Sequence, residues 1–317
     1  MKNNQAVSAS KPALKSNFSR KLGLIGNNWE LYIMIGPVIL YYAIFCYWPM
    51  YGALIGFQDY SLRWGMSGSE WVGLANFKTF LTSLDFKEVL GNTLTISVST
   101  LIFSFPTPIL LALCINEVRN KLFARTVQTI TYMPHFISMV IVCSIIREFT
   151  ADTGIVNKLF QLFGYSGDTM LGKPNLFVPI YVVSGIWQEI GWNSIIYLAA
   201  LSSVDQELYE AAEIDGAGKL KQTIHVTIPG ILPTIIILLI MKMGSLLSVG
   251  YEKILLLYNA GIYSTADVIS TYTYRIGLQG GNFSLSTAVG LFNSVINIIL
   301  LTATNKICDK LNGTSLF

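Results

Sequence analysis

The chain has 317 residues, of which 52% are hydrophobic and only 12% charged, with a net charge of +3. Soluble domains carry about 25% charged residues, so the composition excludes an ordinary water-soluble domain and indicates a membrane protein. So slight a positive balance makes no electrostatic case for nucleic acid, and four scattered cysteines (Cys46, Cys114, Cys143, Cys308) and two distant histidines (His135, His225) have no metal or catalytic spacing.

Residues 1–28 are rich in Ser, Asn and Lys and carry Lys2, Lys11, Lys15, Arg20 and Lys21. They are too polar, and too long before the first apolar run, for a cleaved signal peptide; a flexible cytoplasmic tail fits. The first predicted span, about 31–57, contains Pro37 and Pro49 and is ringed by Trp29, Tyr47, Trp48 and Tyr51, as interfacial belts are. A polar, aromatic segment with Trp64 and Trp71 follows over 58–90. The second span, about 91–115, opens on Asn92, Thr93, Thr95, Ser97, Ser99 and Thr100, and Pro106 and Pro108 predict a kink in its inner half. After a short basic loop come a third span at 127–149, broken at Pro134, a loop at 150–175 and a fourth span at 176–201. A charged stretch at 205–229 separates it from the fifth, 230–250. A polar, Tyr-rich loop over 251–286 precedes the sixth, 287–306.

Each run reaches the roughly 20 residues that cross the hydrocarbon. The expected fold is therefore all-α and polytopic, with six transmembrane helices. The expected division is a tail at 1–28, the first span with its outer loop at 29–90, a core at 91–306 and a tail at 307–317. Six spans put both termini on one side, and the excess of Lys/Arg in the first tail and in the loop holding Arg119, Lys121 and Arg125 marks that side as cytoplasmic.

Residues 205–229 are the longest charged segment between two strongly apolar ones. Helix formers fill both halves around Asp215-Gly216-Ala217-Gly218, which predicts two short helices at an angle. Such a bracket on a membrane surface suits docking into a groove on another protein. In the fourth span Trp187, Gln188, Glu189, Trp192 and Asn193 fall together. Glu189 lies about halfway through, where a carboxylate is costly unless paired, hydrated or protonated. Lys242 in the fifth span, at similar depth, is its expected partner; facing a cavity is the alternative. Trp187 and Trp192 offer flat apolar faces for sugar rings, against the plainer reading of belt or core packing. Asn293 and Asn297 are i, i+4 on one face of the sixth span. Helix–helix hydrogen bonding there competes with a pathway role. His135 beside Pro134 reads as part of a kink. The run 167–174 nearly spells a phosphate-binding loop, but Pro174 stands where the Mg²⁺-holding Ser/Thr belongs, and no strand precedes it.

Glu210-Ala211-Ala212 followed at fixed spacing by Gly216, and then by Val226, Ile228 and Pro229, resembles the cytoplasmic EAA loop of ATP-binding-cassette (ABC) importer permeases. Val and Ile replace Ile and Leu of that family's closing Ile-x-Leu-Pro element. The likeness covers nearly everything after residue 30. The runs 197–201, 207–212 and 214–217 are similar to carbohydrate-uptake permeases related to the maltose system. That family often has Pro where Asp205 stands, a departure that bears on the bracket's entry angle. The runs 267–272, 274–278 and 289–297 are similar to a narrower branch, the LplB-like permeases for complex polysaccharide fragments.

The resemblance implies the MetI-like fold of a type I importer, with spans two to six as its core and the first span wrapped around it. It implies a non-catalytic permease subunit in the plasma membrane of a bacterium, importing oligosaccharides or polysaccharide fragments. The implied partners are a second homologous permease, two ATPase subunits and an extracellular, lipid-anchored sugar-binding protein. ATP and Mg²⁺ would belong to the ATPases, with no cofactor on this chain. Glu210, Ala211, Ala212, Asp215 and Gly216 would couple to those ATPases. Trp187, Gln188, Glu189, Trp192, Asn193, Asn293 and Asn297 are the candidates for the substrate pathway. Tyr251, Tyr258, Tyr263, Tyr272 and Tyr274 make the 251–286 loop the expected receiver of the binding protein. The rival reading is a self-contained channel or secondary transporter for a small polar solute, although no internal repeat supports it.

Overall fold

The structure, a computed structural model, describes residues 29–317; the tail expected over 1–28 lies outside the described residues. The described chain is helical apart from one short antiparallel ladder, in which Gln58 faces Trp71 and Asp59 faces Glu70. It divides into two compact units, with the boundary along the chain between Leu54 and Ile55. The first holds most of the helical run Trp29–Phe57, which is α-helical to Tyr41, π-helical over Tyr42–Tyr47 and 3₁₀ from Trp48. The change of pitch falls where Pro49 removes an amide donor from the ladder.

Four helical runs are long and apolar enough to cross a membrane: Trp29–Phe57, Asp85–Asn116, Lys219–Met243 and Phe283–Asn312. A bent pair, Lys121–Phe136 and Met139–Gln161, makes a fifth. The sixth expected span is the 29-residue helix Pro174–Ser202. It is long enough at about 1.5 Å per residue, but Gln188, Glu189 and Asn193 dilute its apolarity.

One expected break is present and two expectations are corrected. The third span breaks at Pro134, where the sequence places the break. Its helix stops at Tyr132, tightens into a 3₁₀ turn over Met133–Phe136 and restarts at Met139 with Ser138 as N-cap, and the two halves meet at 101°. The second arm of the bracket is not a separate short helix. Lys219–Gln222 runs through a π-helical turn, Thr223–Thr227, straight into Ile228–Met243. The wider turn accommodates the amide that Pro229 lacks. Finally, 251–286 is not a free loop. It folds as Tyr251–Leu257, Tyr263–Ala266 and Ile269–Tyr274, the last continuing into a π-turn over Arg275–Gln279. Ile254, Leu257, Ile262, Ala266, Ile269 and Tyr272 recur every three to five residues and are all buried.

That buried segment closes the main core, where Ile96, Val142, Phe177 and Val182 of spans two to four meet Ile254, Leu257 and Ile262. A second cluster joins Phe80 and Val89 to Tyr272 and Val289. A third, around Ala112, Tyr197, Leu201 and Ile231, holds Tyr209 and Val226 and so anchors the base of the bracket.

Candidate functional site

The bracket is built by end-capping chemistry. Asp205 is extended at φ −64°, ψ 129°, and its carboxylate accepts from the Glu207 amide at 3.0 Å, opening the helix Gln206–Ile214. A φ of −64° is also the value a proline ring imposes. Asp205 therefore enters the bracket along the path a proline would take, and no change of entry angle follows. At the far end Gly216 has φ +74°. The Ala217 amide donates to the Ala212 carbonyl (2.9 Å), and the Gly216 amide to Glu213 (3.0 Å). This is a glycine-closed helix terminus in which the left-handed residue belongs to glycine. The Ala212-to-Gly216 spacing is the geometry of that closure. Gln222 donates to the Ala217 carbonyl (2.9 Å), and the Tyr209 hydroxyl donates to Thr227 (3.0 Å), tying the two arms together. Glu210, Ala211, Asp215 and Gly216 stay exposed and Ala212 is half-buried. Leu208, Ile214 and Leu220 are exposed beside them.

A second polar centre lies inside the helices. His135 sits on the 3₁₀ turn of the third-span break, and its Nδ1 hydrogen-bonds to Glu189 Oε2 at 3.0 Å. The imidazole stacks on the Trp192 indole, 4.3 Å between centroids and 3° from parallel, and Phe136 meets the same indole edge-on at 5.4 Å. Helix Pro174–Ser202 approaches this region with no side chain to spare at Gly191. A Cβ there would lie 2.2 Å from the Thr131 carbonyl oxygen.

The family model for the binding-protein-dependent transport system inner membrane component matches residues 104–307. The chain belongs to this family. Protein LplB of Bacillus subtilis (strain 168) is 46% identical over 288 residues, 90% of this chain and 91% of that protein. The polygalacturonan/rhamnogalacturonan transport system permease protein YteP of the same organism is 45% identical over 288 residues, 90% of each chain. The crystal structure of a bacterial alginate ABC transporter, in complex with an alginate pentasaccharide-bound periplasmic protein, superposes with a TM-score of 0.86 at 42% identity. It covers 94% of this chain and 100% of that one.

This binding-protein-dependent permease is thus a membrane-embedded, non-catalytic subunit of an ABC importer, with the MetI-like fold. The rival reading of a self-contained channel falls with that membership. In the run 167–174 Lys173 is held by Asp168 and Ser166, both at 2.8 Å, and no strand directly precedes it as the Walker pattern requires. These contacts keep the Asp168 carboxyl below, and the Lys173 ammonium above, their ordinary ranges.

The permease gathers some of the expected pathway residues and separates others. Glu189, Trp192 and Asn193 share one helix face and are partly exposed. Trp187 points elsewhere, into an apolar groove with Phe149, Phe160 and Pro179. Gln188 is buried. Asn297 is a structural residue. Its Oδ1 accepts from the Leu247 amide (3.1 Å) and its Nδ2 donates to Ser248 (3.1 Å), stitching the sixth span to the end of the fifth. Asn293 keeps a buried Oδ1 with no partner among the described residues. The expected Glu189–Lys242 pair does not form. Lys242 is exposed, and Glu189 bonds to His135 instead. Depth along two spans placed the residues at one level, but depth is blind to azimuth. His135 was legible only as a neighbour of Pro134. The buried Lys253 was hidden in a segment read as polar loop.

Proposed function

We propose that this permease imports oligosaccharides or polysaccharide fragments handed over by an extracellular, lipid-anchored binding protein. It works beside a second homologous permease, and two cytoplasmic ATPase subunits supply ATP and Mg²⁺ chemistry. The observation that carries the reading is the Glu210–Gly216 turn. It is closed by backbone hydrogen bonds, exposed, studded with Leu208, Ile214 and Leu220, and placed between the long helices Pro174–Ser202 and Lys219–Met243. Exposed apolar side chains on a short, pinned helix beside a membrane suit a groove in a partner protein. Both termini and this turn face the cytoplasm, as the Lys/Arg bias favours. The relatives named for polygalacturonan, rhamnogalacturonan and alginate support a carbohydrate cargo. Trp192, with His135 on one face, keeps 40% of its surface open and offers an aromatic platform beside the polar groups of Glu189 and Asn193. Asn293 is the remaining pathway candidate.

The test is ATP-dependent uptake of labelled oligosaccharide by proteoliposomes that hold the assembled importer, supplied with binding protein. Gly216→Val inserts at the wild-type level but does not transport, because a β-branched residue cannot hold φ +74° without strain. Wild-type uptake in that variant overturns the coupling role. Failure of the wild-type importer to take up any oligosaccharide overturns the cargo.

A further inference from the structure

Lys253 is 95% buried, its residue retaining 5% exposure. Its Nζ donates to the Tyr181 carbonyl at 3.2 Å and lies 4.9 Å from the centroid of the Tyr181 ring. No carboxylate lies within salt-bridge distance among the described residues. An ammonium among membrane helices is expensive to leave uncompensated, and such a residue marks a functional element by default. The space it fills is supplied by Gly185, where a Cβ would lie 3.5 Å from Nζ. Gly185 and Glu189 are i, i+4 and share a face of helix Pro174–Ser202. Glu189 therefore stands one helical turn from the point where the ammonium meets the helix; burial lowers the pKa of the Lys253 ammonium to about 8, and the charges of Cys143 and Glu189 oppose that shift. On its other side Glu189 bonds to His135.

We propose that Lys253 is the counter-cation of Glu189. His135, Glu189 and Lys253 then form one charge bridge that clamps the third-span break and the helix Tyr251–Leu257 to the fourth span. The bridge opens when the permease switches between its two access states. Three elements are tied together here: the third-span break bonds to the fourth span through His135 and Glu189, and the helix Tyr251–Leu257 bonds to it through Lys253 and the Tyr181 carbonyl. Two of them are joined to their neighbours by breaks in the helix, at Met133–Ser138 and at 244–250, where rigid-body motion is absorbed most readily. Glu189 and Lys253 carry opposite charges, so the bridge can persist in a low-dielectric interior and still be broken by a displacement of one element.

The stability part of the test needs only the folded complex and does not depend on the cargo. Apparent melting midpoints of the detergent-purified importer are compared for wild type, Lys253→Met, Glu189→Gln and the double variant. Glu189→Gln lowers the midpoint by about 10 °C, because it leaves the buried Lys253 ammonium without a counter-charge. The double variant recovers most of that loss, whereas pairing Glu189→Gln with Lys242→Met gives a simple sum. If Glu189→Gln yields no folded protein, recovery of yield in the double variant reads the same coupling. A double variant no better than Glu189→Gln overturns the pairing. The clamp is read separately from ATP hydrolysis. In the double variant the ratio of binding-protein-stimulated to basal rate falls at least about twofold, since a resting state without its clamp no longer waits for the binding protein. An unchanged ratio overturns the clamp even if the charges pair.

Discussion

Trp187 and Trp192 are neighbours in sequence, yet five positions at about 100° each place them roughly 140° apart around the helix. One indole lines an apolar groove and the other backs onto His135. If the polar face is the sugar path, Trp192→Ala slows initial oligosaccharide uptake by roughly two- to tenfold, the worth of one aromatic stack. Trp187→Ala leaves it nearly unchanged. Initial rates at matched membrane levels make the comparison, and equal losses at the two positions remove Trp192 from the path. Gly191 is a harsher case. A methyl group there overlaps the Thr131 carbonyl, so Gly191→Ala must push two helices apart and lowers folded yield in detergent. Gly290→Ala, with open space around it, does not. Fluorescence-detected size exclusion separates the two variants.

At the scale of elements, caps and breaks decide more than propensity does. The Gln206–Ile214 helix starts because Asp205 satisfies an orphan amide and stops because Gly216 adopts a left-handed conformation. Asp205→Ala removes the cap and costs about 1 kcal/mol locally. Asp205→Pro keeps the backbone at φ −64° and retains uptake. Loss of transport in the proline variant, at normal membrane levels, shows that the carboxylate itself is needed. The Lys219–Met243 helix carries a different lesson. Lys242 near its end is exposed, so Lys242→Met changes the melting midpoint little, and its effect adds to that of Glu189→Gln within about 0.5 kcal/mol. Strong coupling between those two substitutions restores the partner expected from sequence.

For the molecule as a whole, long apolar runs announce most of the crossings, because twenty consecutive apolar residues have few other uses. The motif around Glu210 and Gly216 was legible too, since the glycine spacing records a closure that only glycine makes without strain. What stayed hidden depends on contacts between distant segments. Tyr258, Tyr263 and Tyr272 made 251–286 look like a surface, whereas Tyr272 and its apolar neighbours are interior; tyrosine is amphipathic and fits either place. The burial of much of that segment leaves less of it free to receive a binding protein than its composition promised. Lys253 was invisible for the same reason. Assembly is the remaining expectation at this scale. A tagged chain purified in mild detergent brings down an ATPase and a second permease in stoichiometric amounts. Recovery of this chain alone, fully active, contradicts the proposed assembly.

The merging of the bracket's second arm with the fifth span has a mechanical consequence. From Lys219 to Met243 the backbone is one rod of 25 residues, about 37 Å long at 1.5 Å per residue. A lever of that length converts a nudge at its base into torque at its tip. Its stiffness is not uniform, because the π-turn at Thr223–Thr227 and the prolines at 229 and 233 crowd the end nearest the turn. The rod thus has a compliant joint close to the Glu210–Gly216 turn and a stiff shaft beyond it. A push on the turn is delivered to the far side of the membrane chiefly as tilt of the shaft about that joint, with little stretching of the helix between.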